Sequence, residues 1–193
     1  MHRDFAIAAL LLVAAMAFPC GAVAAEPDRK LEFGPYFGYF DFDSATRFED
    51  FGLFGARLGA RVETWLTLEV GFDEVYTERQ VSGNSARQMT FSLYGRIEPW
   101  RARVTPYLLG GLAFVMFDDT DDPDAFGDAS DIGFGGHWSL REGWLLRAEF
   151  LLRRQRMELL RASFDADGAR VLEEVGPRTL WGRSWRVGVS RVF

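Results

Sequence analysis

Three groups of residues carry enough chemistry to be weighed first. His137 and Ser139 lie two apart, with Glu149 further along. Nucleophilic catalysis would need the imidazole within hydrogen-bond reach of the hydroxyl and an acid to orient it. Ser139, however, falls in a short turn, and His137 reads as an interior polar residue. The second group is Asp118, Asp119, Asp121, Asp122, Asp124 and Asp128. Clustered carboxylates suit Ca²⁺, which takes about six to eight oxygen ligands. The run from Asp118 to Asp124 lacks the sixth-position glycine and closing glutamate of an EF-hand loop, so a solvated acidic loop over 118–131 is expected. The third group is Arg153, Arg154, Arg156 and Arg161. Arginine matches phosphate with paired hydrogen bonds. The expectation is therefore no catalytic, cofactor or metal site. Gly110-Gly111 and Gly135-Gly136 read as packing or bends in strands rather than phosphate loops.

The elements that would position these residues are strands. The last one is the clearest: Trp185, Val187, Val189 and Phe193 share one face, and Arg186, Gly188 and Ser190 the other. Arg191 interrupts the apolar face near the strand end, where a long side chain can snorkel. Seven similar stretches precede it, over about 31–40, 52–62, 66–76, 88–97, 104–117, 131–138 and 144–154, with the eighth over 179–193. Leu68, Val70 and Phe72, for example, oppose Thr67, Glu69, Gly71 and Asp73. The fifth is apolar on both faces, with Leu108, Leu112, Phe114 and Met116 assigned outward.

The connections alternate in kind. Three are short, around Thr64, Arg101 and Glu142. Four are long and polar, over 41–51, 77–87, 118–130 and 156–178. Short turns at one end and long loops at the other fit an eight-stranded antiparallel up-and-down transmembrane β-barrel. Trp65, Trp100, Trp138 and Trp144 all lie at or beside the short turns, where an aromatic belt would meet the membrane interface.

Residues 1–25 read as a cleaved signal peptide: Arg3, an apolar run from Phe5 to Phe18, and small residues at Ala22–Ala25. Cys20, preceded by Pro19, would leave with it. Residues 26–193 then form one barrel domain. Mean hydropathy is −0.07, which means little here, because lipid-facing and lumen-facing residues cancel in any average. The net charge of −6 argues against nucleic acid.

The stretches Phe33-Gly34-Pro35-Tyr36-Phe37-Gly38-Tyr39, Trp65-Leu66-Thr67-Leu68-Glu69 and Val104-Thr105-Pro106-Tyr107-Leu108-Leu109-Gly110-Gly111-Leu112, with the Phe193 end, resemble the small OmpA/OmpX-like outer-membrane β-barrel superfamily. The resemblance spans the chain after the signal. It implies an integral outer-membrane location and recognition of Trp185, Val187, Val189 and Phe193 by the barrel-assembly machinery. The resemblance does not extend to the peptidoglycan-binding domain of the larger members, so a cell-wall tether is not expected. The His137–Ser139 pair is similar to that of outer-membrane lipid A deacylases, but the Asn expected after the serine is Leu140 and the turn lies at the wrong face.

Eight strands enclose a lumen just wide enough for side chains to fill. Arg57, Arg61, Glu69, Asp73, Arg96, Arg147, Glu149, Arg153 and Arg186 are predicted to point inward as a charged network that replaces an open pore. Arg153, Arg154 and Arg156 are predicted to meet lipopolysaccharide phosphates at the outer rim. The functional expectation is a monomeric, non-enzymatic barrel with a structural or surface-interaction role, in contact with outer-membrane lipid. Passage of small apolar molecules is the alternative, with an apolar lumen mouth as its signature. Lipid A modification and a soluble lipocalin-like binding barrel are further alternatives.

Overall fold

The computed structural model describes residues 31–42, 51–78, 85–119, 125–164 and 170–193. The segment read as a signal peptide lies outside them, as do Asp121, Asp122 and Asp124.

Each alternating stretch forms a strand: β1 (Leu31–Phe42), β2 (Phe51–Arg61), β3 (Leu66–Glu78), β4 (Ser85–Ile97), β5 (Val104–Asp119), β6 (Ala125–Ser139), β7 (Trp144–Phe164) and β8 (Arg170–Val192). Each pairs antiparallel with the next, and β1 pairs with β8, so the sheet closes. The closing seam holds Phe37 opposite Val187 and Tyr39 opposite Trp185. At its lower end the Phe193 N–H donates to the Leu31 carbonyl at 2.8 Å. Closure leaves the barrel wall with no edge to template another chain.

Period-two alternation sorts the side chains. Phe37, Leu58, Val70, Leu93, Leu112 and Ile132 stand exposed on the outside, while every second residue is buried within. Leu108, Leu112 and Phe114 point outward, as expected for the strand whose pattern was ambiguous. Trp65, Trp100, Trp138 and Trp144 are exposed at the short-turn end, and Trp181 at the other. From Trp181 to Arg191 is ten residues of β8. At ~3.4 Å per residue and a tilt of ~40° they rise ~26 Å, the height of a bilayer's apolar band. The Arg191 guanidinium lies 5.4 Å from the Trp144 ring centre and 5.6 Å from that of Phe193, so it joins the belt.

Two of the four polar segments expected to be long loops, 118–130 and 156–178, are largely strand among the described residues, whereas 41–51 and 77–87 lie mostly outside them. β6 begins at Ala125, which places Asp128 in a strand opposite Phe114 and Arg156. Asp118 belongs to β5, and Asp118 and Asp128 face outward in the wall. β7 and β8 run far past the apolar band. Among the described residues, β6 leaves β7 at Met157 and β1 leaves β8 at Gly182, while the β7–β8 ladder continues to Phe164 opposite Arg170. A shift in that ladder between Glu158 and Leu160 marks where the two-stranded ribbon departs from its neighbours. Apolar alternation is imposed by lipid, so it stops where the strands leave lipid, although backbone pairing goes on.

Candidate functional site: a filled lumen

The inward residues stack in three layers. The layer nearest the short turns sets Arg57, Arg96 and Arg147 against Glu32, Glu69 and Glu149. Arg147 bridges all three carboxylates, at 2.6 Å from Glu32, 3.1 Å from Glu69 and 2.6 Å from Glu149. Arg96 donates to Glu69 at 2.5 Å and to Glu32 at 2.8 Å. Arg57 reaches Glu149 at 2.5 Å and Glu69 at 3.4 Å. The Tyr107 hydroxyl donates to Glu149 at 2.6 Å. Below this layer Glu98 pairs with Arg96 at 2.9 Å, and the His137 ring nitrogen lies 3.9 Å from Glu98.

The middle layer sets Arg153 and Arg186 against Asp73 and Asp131. Arg153 grips Asp131 with two hydrogen bonds, of 2.9 and 2.8 Å, and donates to Thr90 at 2.9 Å. Arg186 donates to Asp73 at 3.1 Å, and the Tyr94 hydroxyl to Asp131 at 2.6 Å. Each layer holds equal numbers of opposite charges. A buried ion is tolerable only when paired and hydrogen-bonded, because the loss of water costs several kcal/mol per ion. Each ion of the two layers has a charged partner and at least one hydrogen bond, although among the described residues Asp73 Oδ1, Glu149 Oε2 and Arg186 Nε themselves make none.

Tyrosine rings separate the guanidinium groups. Arg57 lies 4.3 Å above the Tyr36 ring, with Arg186 at 5.1 Å; Arg96 and Arg147 lie 5.4 and 5.3 Å from that of Tyr107. Two of these rings lie directly opposite a glycine on the next strand, Tyr36 opposite Gly55 and Tyr107 opposite Gly135. A Cβ at Gly135 would come within 2.8 Å of the Tyr107 ring, and one at Gly55 within 2.6 Å of Tyr36. Only glycine lets these rings lie across the lumen.

The third layer, toward the ribbon end, is mainly apolar, with Gln88 and Gln155 also buried in it. Phe40, Phe42, Leu53, Val75, Val115, Phe117 and Leu180 form one buried cluster there. Phe40 packs on Phe42 with ring centres 4.7 Å apart, and Phe42 on Phe117 at 6.2 Å.

These features, a closed wall, a lipid-height apolar band, an aromatic belt and a filled interior, belong together in a membrane barrel. Residues 5–193 match the outer membrane protein beta-barrel domain family. The chain belongs to that family. It is an integral protein of the bacterial outer membrane. No curated protein matches the sequence. Among solved structures, the barrel is similar to Neisserial surface protein A (13% identity, 84% of this chain and 97% of that one, TM-score 0.60). It is also similar to a major outer membrane protein of Thermus thermophilus (13%, 84% and 99%, 0.57) and to the outer membrane protein AlkL in lipid bilayers (11%, 91% and 95%, 0.52). At such identities the likeness is one of fold.

In this outer-membrane barrel, eight of the nine residues predicted to point inward are buried in the lumen, and Arg61 is half-buried at its short-turn mouth. Arg153 carries a correction: it is 2% exposed and held by Asp131, so it cannot also meet lipid phosphates at the rim. Arg154 and Arg156 do face outward. Trp185, Val187, Val189 and Phe193 line the outer face of β8, with Trp185 packed on Phe150 at 4.4 Å. His137 is buried over Tyr107, and among the described residues no hydrogen bond joins it to Ser139. Sequence reasoning missed Glu32, Asp131 and Tyr107. Glu32 and Asp131 carried a usable signal, a charge at an inward-facing step of its strand. The apolar third layer was missed altogether.

Proposed function

We propose that this outer-membrane barrel is a non-conducting, non-enzymatic monomer with a structural or surface-interaction role, inserted by the barrel-assembly machinery through its last strand after removal of the signal peptide. The observation that carries this reading is the double seal, two charge-balanced layers below an apolar one. Eight strands leave room for little else. The role then falls to what the barrel shows outside: the lipopolysaccharide-facing wall and the ribbon above it. The test is single-channel recording of the refolded protein in planar bilayers, beside a check of its boiling-dependent gel mobility. A folded barrel with no sustained conductance is expected. Stable, reproducible openings would defeat the reading.

The apolar layer favours a second reading, entry of small apolar molecules at the lumen mouth. Its support is the buried cluster of Phe40, Phe42 and Phe117 at the outer end. Quenching of intrinsic fluorescence by a dissolved alkane derivative, saturable in the native chain and lost in Phe117→Gln, would favour it over the first.

A further inference from the structure

The outer wall is apolar through the band and then turns polar, with Asp118 and Asp128 outward on β5 and β6 and arginines outward on β7 and β8. On β7, Arg154 and Arg156 are outward and exposed, ~7 Å apart as alternate residues of one strand. On β8, Arg183 is outward with 61% of its side chain accessible. The register sets Trp181 directly opposite Arg154 and Leu152 opposite Arg183, so Arg183 is the diagonal neighbour of Arg154, ~7–8 Å away. Three guanidinium groups and an indole thus share a patch a few strands' widths across, at the top of the lipid-facing surface. Among the residues whose side chains are described no ion pair reaches Arg154 or Arg156, and exposed Asp128 of β6 lies directly opposite Arg156 in the register. Arg183 is paired with the half-exposed Asp41, at 3.8 Å.

Positive charges on a lipid-facing surface are costly at the bilayer centre and nearly free at its edge. Val187 and Val189, lower on the same wall, are apolar and exposed, and exposed Leu152 lies level with Arg183, so the patch sits where acyl chains give way to headgroups. The outer leaflet of this membrane presents phosphorylated glycolipid at that height. Guanidinium matches phosphate with charge-assisted, paired hydrogen bonds. The Trp181 indole, 56% exposed, is amphipathic and suited to the same depth.

We infer that Arg154, Arg156 and Arg183, with Trp181 between them, form a clamp for the phosphates of one lipid A headgroup on the outer face of β7–β8. The inference rests on the proposed surface role and gives it a partner and a place. The clamp fixes the barrel's height in the outer leaflet and orders lipid beside the root of the ribbon.

The test uses the refolded chain in dimyristoyl phosphatidylcholine nanodiscs doped with lipid A. Native mass spectrometry counts the lipid A that stays bound. Three proteins are compared, each first shown to be folded by heat-modifiable mobility: the native chain, Arg154→Gln/Arg156→Gln/Arg183→Gln, and Arg103→Gln/Arg141→Gln, which removes exposed arginines at the opposite end. The native chain and the opposite-end variant are expected to retain lipid A alike. The triple variant is expected to retain about tenfold less or lower still. Dephosphorylated lipid A should be retained by none, and inorganic phosphate should not compete. Equal retention by the triple variant overturns the clamp. So does equal binding of dephosphorylated lipid A, and competition by free phosphate would reassign the patch to soluble anions. Failure of the native chain to insert at all would instead defeat the membrane-surface reading on which the inference stands.

Discussion

The lower and upper halves of one lumen are filled by opposite chemistry. Below, ten ionised side chains in two balanced layers occupy the space. Above, a cluster of aromatic and aliphatic side chains does. Both halves are equally buried. The upper half gains from each apolar surface removed from water and tolerates partial loss. The lower half gains little net energy from its ion pairs, since desolvation offsets attraction, but it suffers heavily when one partner is removed. A charged core therefore specifies one arrangement more stringently than it stabilises it.

The comparison can be broken most severely at Arg147, the residue that touches all three lower carboxylates. Arg147→Met should cost about 3–5 kcal/mol, because it leaves uncompensated buried charge. The loss would appear as a lowered urea midpoint for the band that migrates as folded without boiling. Phe40→Ala in the upper half should cost about 3 kcal/mol, through lost burial and a cavity. If the two were equal in effect and equally rescued by added apolar volume, the halves would not differ in kind. A sharper version pairs Arg153→Met with Asp131→Leu. Each alone strands a charge; together they remove it, so the double variant should cost at least ~1 kcal/mol less than the sum of the two single costs. Simple additivity in a double-mutant cycle would contradict the pairing. The smallest effect is expected in conductance. Phe40→Ala/Phe117→Ala should remain silent in planar bilayers, because the charged layers beneath still close the lumen.

Much of the barrel was legible because lipid and lumen impose opposite chemistry on alternate residues. Leu68, Val70 and Phe72 against Thr67, Glu69 and Asp73 announce a strand and its orientation at once. The lower charge network was legible for the same reason: Arg147 and Glu149 have no place on a lipid-facing wall. Two things were not. The apolar layer was hidden because Phe40, Val115 and Phe117 sit where both faces of their strands are apolar, so periodicity carries no sign. The strand extensions were hidden because Glu158 to Phe164 and Arg170 to Arg178 lie above the membrane, where nothing demands alternation and a polar strand reads as a loop. Arg153 was given two roles for a related reason. A strand-exit arginine suits a rim or a lumen equally well until its partner, Asp131, is placed beside it.

The ribbon of β7 and β8 has a practical consequence. Among the described residues, past Met157 and Gly182 its backbone pairing is within itself, so its far end can be lengthened without disturbing the wall. Foreign sequence spliced between 164 and 170 would incur little beyond the entropy of a longer closure, ~0.6 kcal/mol per doubling. The molecule is in this sense a ready-made display mast. Whatever is grafted at the tip is carried clear of the lipid by two paired strands, and the filled barrel below serves as its anchor.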